Sequence, residues 1–200
     1  MGLTHEDESV NVAVGNDAFT TYFFGSEFAR PYLHPLTGPS GSVTRHYPME
    51  DVPGEKQDHV HHRGCWAAWG DVNGADNWIE EGDYARTVHR GIEVIESGSV
   101  FGRLRTLNDW VTADGTKLME EIREYRFYNQ PVSRSHCHRH SRRPRRYAHH
   151  WPAAVCRVSN SYAFPLLNLE FKILRQPGNR NLRITVMGMQ VHGDMAASNR

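Results

Sequence analysis

Short runs in which apolar and polar residues alternate recur along the first two-thirds of this chain, and turn-forming residues separate them. A period of two sends successive side chains to opposite faces of an extended backbone. Val10 to Val14 alternates in this way, and Phe19 to Phe24 is aromatic and Thr-rich, as strands are. Cys65 to Trp69 is a short buried strand candidate, Val88, Arg90, Ile92 and Val94 alternate, and Val100 to Val111 is a further strand region. Lys117 to Tyr128 reads two ways. Leu118, Ile122 and Tyr125 fit a helical period, but the preceding strand and the turn at Ala113-Asp114-Gly115-Thr116 favour a returning strand. Ala29 to Leu36 holds Pro31 and Pro35 and reads as an edge strand or extended loop. Thr37 to Ser42 is a turn. Tyr47 to Gly64 is a long aperiodic loop, a length that usually has a functional reason. The expected fold is all-β, an antiparallel β-sandwich.

The bulk properties bound the class. A chain of 200 residues suits one domain with a real core. Its mean hydropathy is −0.64, and no apolar run approaches the roughly 20 residues of a membrane helix. Met1 to Ser9 is acidic and lacks the basic and apolar regions of a signal peptide. Cys65, Cys137 and Cys156 are too few and too scattered for a disulfide framework. A cytoplasmic location is the expectation, with no membrane partner.

The formal net charge of zero hides a split. Up to Glu124 there are 21 acidic and 10 basic residues; after it there are 2 and 13. The stretch from Ser133 to Arg146 is Arg- and His-rich, with no Lys and no acid. Read one base later, a His codon encodes Ile or Thr. His136-Cys137-His138-Arg139-His140 then becomes an alternating pattern rich in Ile, Thr, Ala and Val, as a strand would be. The expectation is a frameshift near Ser133 to Ser135, with a second shift later as one variant. Residues 1–132 then form a partial sandwich domain, and 133–200 an irregular, basic segment in a non-native frame. On that reading His136, His138, His140 and Cys137 only imitate a metal tract. If the printed frame is real, the segment is a nucleic-acid-binding tail; otherwise its affinity for nucleic acid is nonspecific.

Asp58-His59-Val60-His61-His62-Arg63-Gly64 carries the chemistry of the chain, with three imidazoles, a carboxylate and a guanidinium close together. His59, His61 and His62 are candidate general bases, and Glu50 and Asp58 candidate acids. On a strand, His59 and His61 would share a face, with His62 opposite. His59 and His61 are therefore the candidate metal ligands, completed by Glu50 or Asp58 around a divalent ion. A metal-free polar site and a purely structural loop are the alternatives. Arg63 suits capture of a substrate carboxylate or an internal acid equally well. Trp66, Trp69 and Trp78 are candidate sugar-stacking rings, against the alternative of core packing. Asp71 and Asn73 are candidate ligand contacts, although Asp71-Val72-Asn73-Gly74 also reads as a turn with Asn73 and Gly74 at positive φ. His34 and His89 read as structural histidines, and Cys65 as buried.

Together, Arg30-Pro31-Tyr32-Leu33-His34-Pro35-Leu36, Tyr47-Pro48-Met49-Glu50-Asp51, the His59–Arg63 loop and Trp69-Gly70-Asp71-Val72-Asn73-Gly74 resemble the bacterial PmoA-like family, labelled methane oxygenase. The resemblance covers about residues 30–128. It implies a longer protein, so this chain is expected to be truncated and its sandwich incomplete. It also implies a fold similar to the galactose-mutarotase-like sandwich, and hence a carbohydrate-active enzyme or a sugar-binding module. The label itself implies a metal-dependent oxygenase. A small-molecule ligand, a sugar, is the expected partner.

Overall fold

The structure, a computed structural model, describes residues 1–38 and 41–128 together with the backbone of 166–175. Every regular element in it is a strand: β1 (Gly2–Glu6), β2 (Ser9–Val14), β3 (Asp17–Phe23), β4 (Tyr32–His34), β5 (Thr37–Gly38), β6 (Gly41–Ser42), β7 (Cys65–Trp66), β8 (Arg86–Glu96), β9 (Phe101–Val111), β10 (Lys117–Tyr128) and β11 (Leu166–Arg175). One sheet has the order β1-β2-β3-β4-β7 and a second the order β11-β10-β9-β8, while β5 and β6 form a small ribbon. All pairings are antiparallel. Among the described residues no helix is long and apolar enough to cross a membrane.

The two larger sheets pack face to face. Val10, Val12, Phe19, Tyr22 and Leu33 of the first meet Leu104, Tyr125 and Phe127 of the second in one buried cluster. Tyr22 lies 5.3 Å from Tyr125 between ring centroids, and Phe19 meets Phe127 edge-on at 6.3 Å. This is the expected sandwich. Lys117 to Tyr128 is a strand, because the Thr112–Thr116 turn returns the chain directly onto β9.

Three local features depart from expectation. The acidic N-terminal stretch forms β1, whose hairpin with β2 places Leu3 opposite Val12. β4 is an interior strand between β3 and β7 rather than an edge. Pro31 and Pro35 flank β4 and stay outside it, so neither removes a ladder hydrogen bond and the strand is held to three residues. Within the segment expected to be irregular, β11 runs alongside β10 in register from Tyr128↔Leu166 to Glu121↔Ile173. The Arg- and His-rich stretch, including His136, Cys137, His138 and His140, lies outside the described residues, as does Cys156.

The second sheet also carries polar groups inside the sandwich. Glu121 and Arg123, two apart on β10 and therefore on one face, are both buried. Arg123 donates to both Glu121 oxygens at 2.5 and 3.0 Å, and Trp110 Nε1 donates to Glu121 at 2.5 Å. Arg123 also reaches the Pro31 carbonyl at 3.4 Å, tying β10 to the start of β4 across the interface. A buried ion pair is tolerable only when its donors and acceptors are paired in this way.

Candidate functional site

The 43–64 segment leaves the β5–β6 ribbon and re-enters the sheet at β7. It has no strands of its own, so side chains and carbonyls organise it. Glu55 accepts from the His46 backbone N–H at 2.9 Å, Arg45 donates to the Lys56 carbonyl at 2.6 Å, and Gln57 donates to Asp51 at 2.8 Å. At the end of the loop Gly64 takes φ 61° directly above β4. A Cβ there would lie 2.3 Å from the Leu33 carbonyl oxygen, so only glycine lets the chain cross at that height. Cys65 then pairs with Leu33 and Trp66 with Tyr32.

Just before that crossing the chain turns. The His62 N–H donates to the His59 carbonyl at 2.9 Å, and His59 itself sits at φ 49°. The expectation that His59 and His61 share a strand face with His62 opposite is therefore corrected. A reverse turn replaces the period of two, and it brings all three imidazoles together. One ligating atom from each lies within 4.8 Å of the others. The His59 and His62 rings stack at 4.8 Å, and His61 meets His62 edge-on at 4.3 Å. His59 is exposed, His61 half-buried and His62 buried. Burial holds the His61 imidazole below its ordinary pKa, with His59 and Arg30 adding to the effect and Glu80 opposing it.

Aromatic rings wall this trio. Trp66 stacks with His62 at 5.6 Å, and Trp78 lies 6.5 Å from His61 and 5.0 Å from Trp66. Trp66 is 3% exposed, and the Arg30 guanidinium sits 5.1 Å from its ring centroid. It is a wall of the site and cannot offer a face to a sugar. Trp69 is 38% exposed, and its carbonyl accepts from Asn77, the residue before Trp78, at 2.9 Å. Trp66 Nε1 is buried and has no hydrogen-bond acceptor among the described residues.

Beneath the aromatics lies a charged anchor. Glu80 accepts from Arg30 at 3.0 Å and also from Arg63. Arg30 is buried, and burial pushes its guanidinium down to about 10 against the pull of Glu80. Of the two roles open to Arg63, the structure shows the internal acid. Neither Glu80 nor its pairing with Arg30 was legible beforehand, since Glu80 is one of several acids in an aperiodic loop.

The remaining candidates lie elsewhere. Glu50 faces His34, whose Nε2 is 3.5 Å from its carboxylate; burial lowers the His34 pKa and Glu50 opposes the shift. Asp58 pairs with Arg45 at 3.0 Å, and that hydrogen bond holds its carboxyl below the usual range. Each has a basic partner of its own, which argues against the expectation that either completes a metal site. Asp71 accepts from the Gly74 N–H at 2.7 Å, with Asn73 at φ 55° and Gly74 at φ 84°; this is the turn that the residues themselves indicate. Both side chains are exposed beside Val72, which bridges to Ala75.

A model of the family described as Family of unknown function (DUF6807) matches residues 9–142, which takes in the His59–Arg63 loop and both of its walls. No curated protein and no solved structure matches the chain.

Proposed function

The chain belongs to DUF6807, a family of unknown function, and we propose that it binds a small carbohydrate at the rim formed by His59, His61, His62 and Trp78. The observation that carries this reading is the cluster of three imidazoles, two of which, His61 and His62, meet the half-buried Trp78 indole edge-on. Imidazole nitrogens exchange hydrogen bonds with hydroxyl groups, and an indole face takes the apolar C–H face of a sugar ring.

Paired carboxylates, the usual machinery of glycoside hydrolysis, are a poor description of this site. Glu80 is taken up by Arg30 and Arg63 and Asp58 by Arg45, while Glu50 stands 3.5 Å from His34. Any chemistry therefore falls to the imidazoles, and binding without turnover is the simpler form of the proposal.

The test is titration of the full chain with a panel of mono- and disaccharides, followed by tryptophan fluorescence and calorimetry. The expected result is saturable binding by at least one sugar, weakened about tenfold or more in Trp78→Ala and His61→Ala, the scale of a lost hot-spot contact. Binding by no sugar in the panel, or binding indifferent to both substitutions, would overturn it. Turnover of the bound sugar would identify an enzyme rather than a binding module.

A further inference from the structure

We infer that His59, His61 and His62 together hold one divalent transition-metal ion, of the zinc type, with at least one coordination position open to the ligand. This rests on the same site as the carbohydrate reading and adds its cofactor.

The geometry carries the inference. The turn closed by His62 N–H to His59 carbonyl places three imidazoles from four consecutive residues on one side of the chain, with ligating atoms within 4.8 Å of one another. Metal–imidazole bonds of about 2.0–2.1 Å require those nitrogens to close to roughly 3.3 Å. Rotation of exposed His59 and half-buried His61 toward buried His62 supplies that movement without disturbing the sheet. His62 is the member held in place, buried and stacked on the Trp66 ring at 5.6 Å.

The donor set decides the class of ion. Three neutral nitrogens and no carboxylate suit zinc, copper, nickel or ferrous iron, whereas calcium and magnesium require oxygen ligands. Three protein ligands leave a tetrahedral ion one position short, the arrangement of catalytic rather than structural zinc. That position would take water or a ligand hydroxyl, and neutral donors leave the full charge of the ion to polarise it.

The experiment uses the full chain stripped with a chelator and titrated with Zn²⁺ alone by calorimetry, and with Co²⁺ to read the coordination from its visible spectrum. One equivalent is expected to bind with a tetrahedral or five-coordinate Co²⁺ spectrum. His59→Ala and His61→Ala, both outside the core, are each expected to lower affinity by about a hundredfold or more, beyond the 10–100-fold of an outer-shell change. His136, His138 and His140 all replaced by Ala should leave that equivalent in place. If the triple replacement abolishes binding and His59→Ala and His61→Ala do not, or if no equivalent binds, the inference fails. Circular dichroism of each variant separates lost ligation from lost folding. Sugar binding that persists in chelator-stripped protein without Zn²⁺ uptake would sink the metal alone, and Zn²⁺ uptake without sugar binding would sink only the carbohydrate reading.

Discussion

At the scale of single residues, the candidate site depends on Gly64 as much as on the imidazoles it follows. Gly64 and Gly54 both take positive φ in the same loop, yet a Cβ at Gly54 would meet open space and one at Gly64 would strike the Leu33 carbonyl at 2.3 Å. Gly54→Ala should therefore cost only the left-handed backbone term, about 1 kcal/mol. Gly64→Ala adds a clash with rigid backbone and should cost about 2–3 kcal/mol. Urea midpoints of the two variants measure the difference, and equal values would show that the loop can lift off β4. The identity of Gly64 was readable from the sequence, but its reason was not, because Leu33 is far away along the chain and close only in the fold. Glu80 is a similar case. It anchors Arg30 and Arg63 across gaps that no local pattern encodes.

At the scale of elements, the long strands β8, β9 and β10 combine an apolar inner face with a few polar groups, and one of these, His89, should make the sheet sensitive to acid. His89 on β8 packs against Phe24 at 4.2 Å, and burial pushes its imidazole down to about 4 from an ordinary 6.5, with Arg123 and His5 adding to the effect and Asn108 opposing it. Between those two pH values the unfolded chain binds a proton at His89 and the folded chain does not. Its contribution is thus fully present above about 6.5 and is lost as pH falls toward about 4. Urea midpoints measured across pH 4 to 7 are expected to fall in this window, and the fall should be shallower in His89→Leu. An unchanged slope would assign the acid sensitivity to another group. Strand periodicity was legible for these elements. β1 was not, because its short run of largely exposed residues carries little apolar signal.

At the scale of the whole molecule, β11 bears on how much of the chain contributes to the fold. It covers the outer edge of β10, and an uncovered edge of that length is a template for aggregation. Its residues, Leu166 to Arg175, include Glu170, the first acid after Glu124, and Lys172, the first Lys after Lys117. Ordinary composition thus returns together with a strand that pairs in register. Resequencing of codons 125–175, with mass spectrometry of the product, is expected to find a reading-frame change near codons 133–135 and a compensating one before codon 166. A single intact frame would make the Arg- and His-rich stretch genuine protein and bring nucleic-acid binding back into consideration.

The sequence by itself determined the class of fold and most strand positions, because period-two patterning and turn residues act over a few neighbours. It also marked the turn at Asp71–Gly74 through the positive-φ preference of Asn and Gly. Only the tertiary structure decided which side chains meet. A strand reading separated His62 from His59 and His61, whereas the turn above β4 unites them, because Gly64 must pass over the Leu33 carbonyl to reach β7. It likewise gave Arg63 to Glu80, removed Trp66 from the surface, paired Asp58 with Arg45 and set Glu50 beside His34. Local pattern specifies how a backbone runs; convergence of distant groups depends on how sheets and loops pack, and packing is a property of the whole chain.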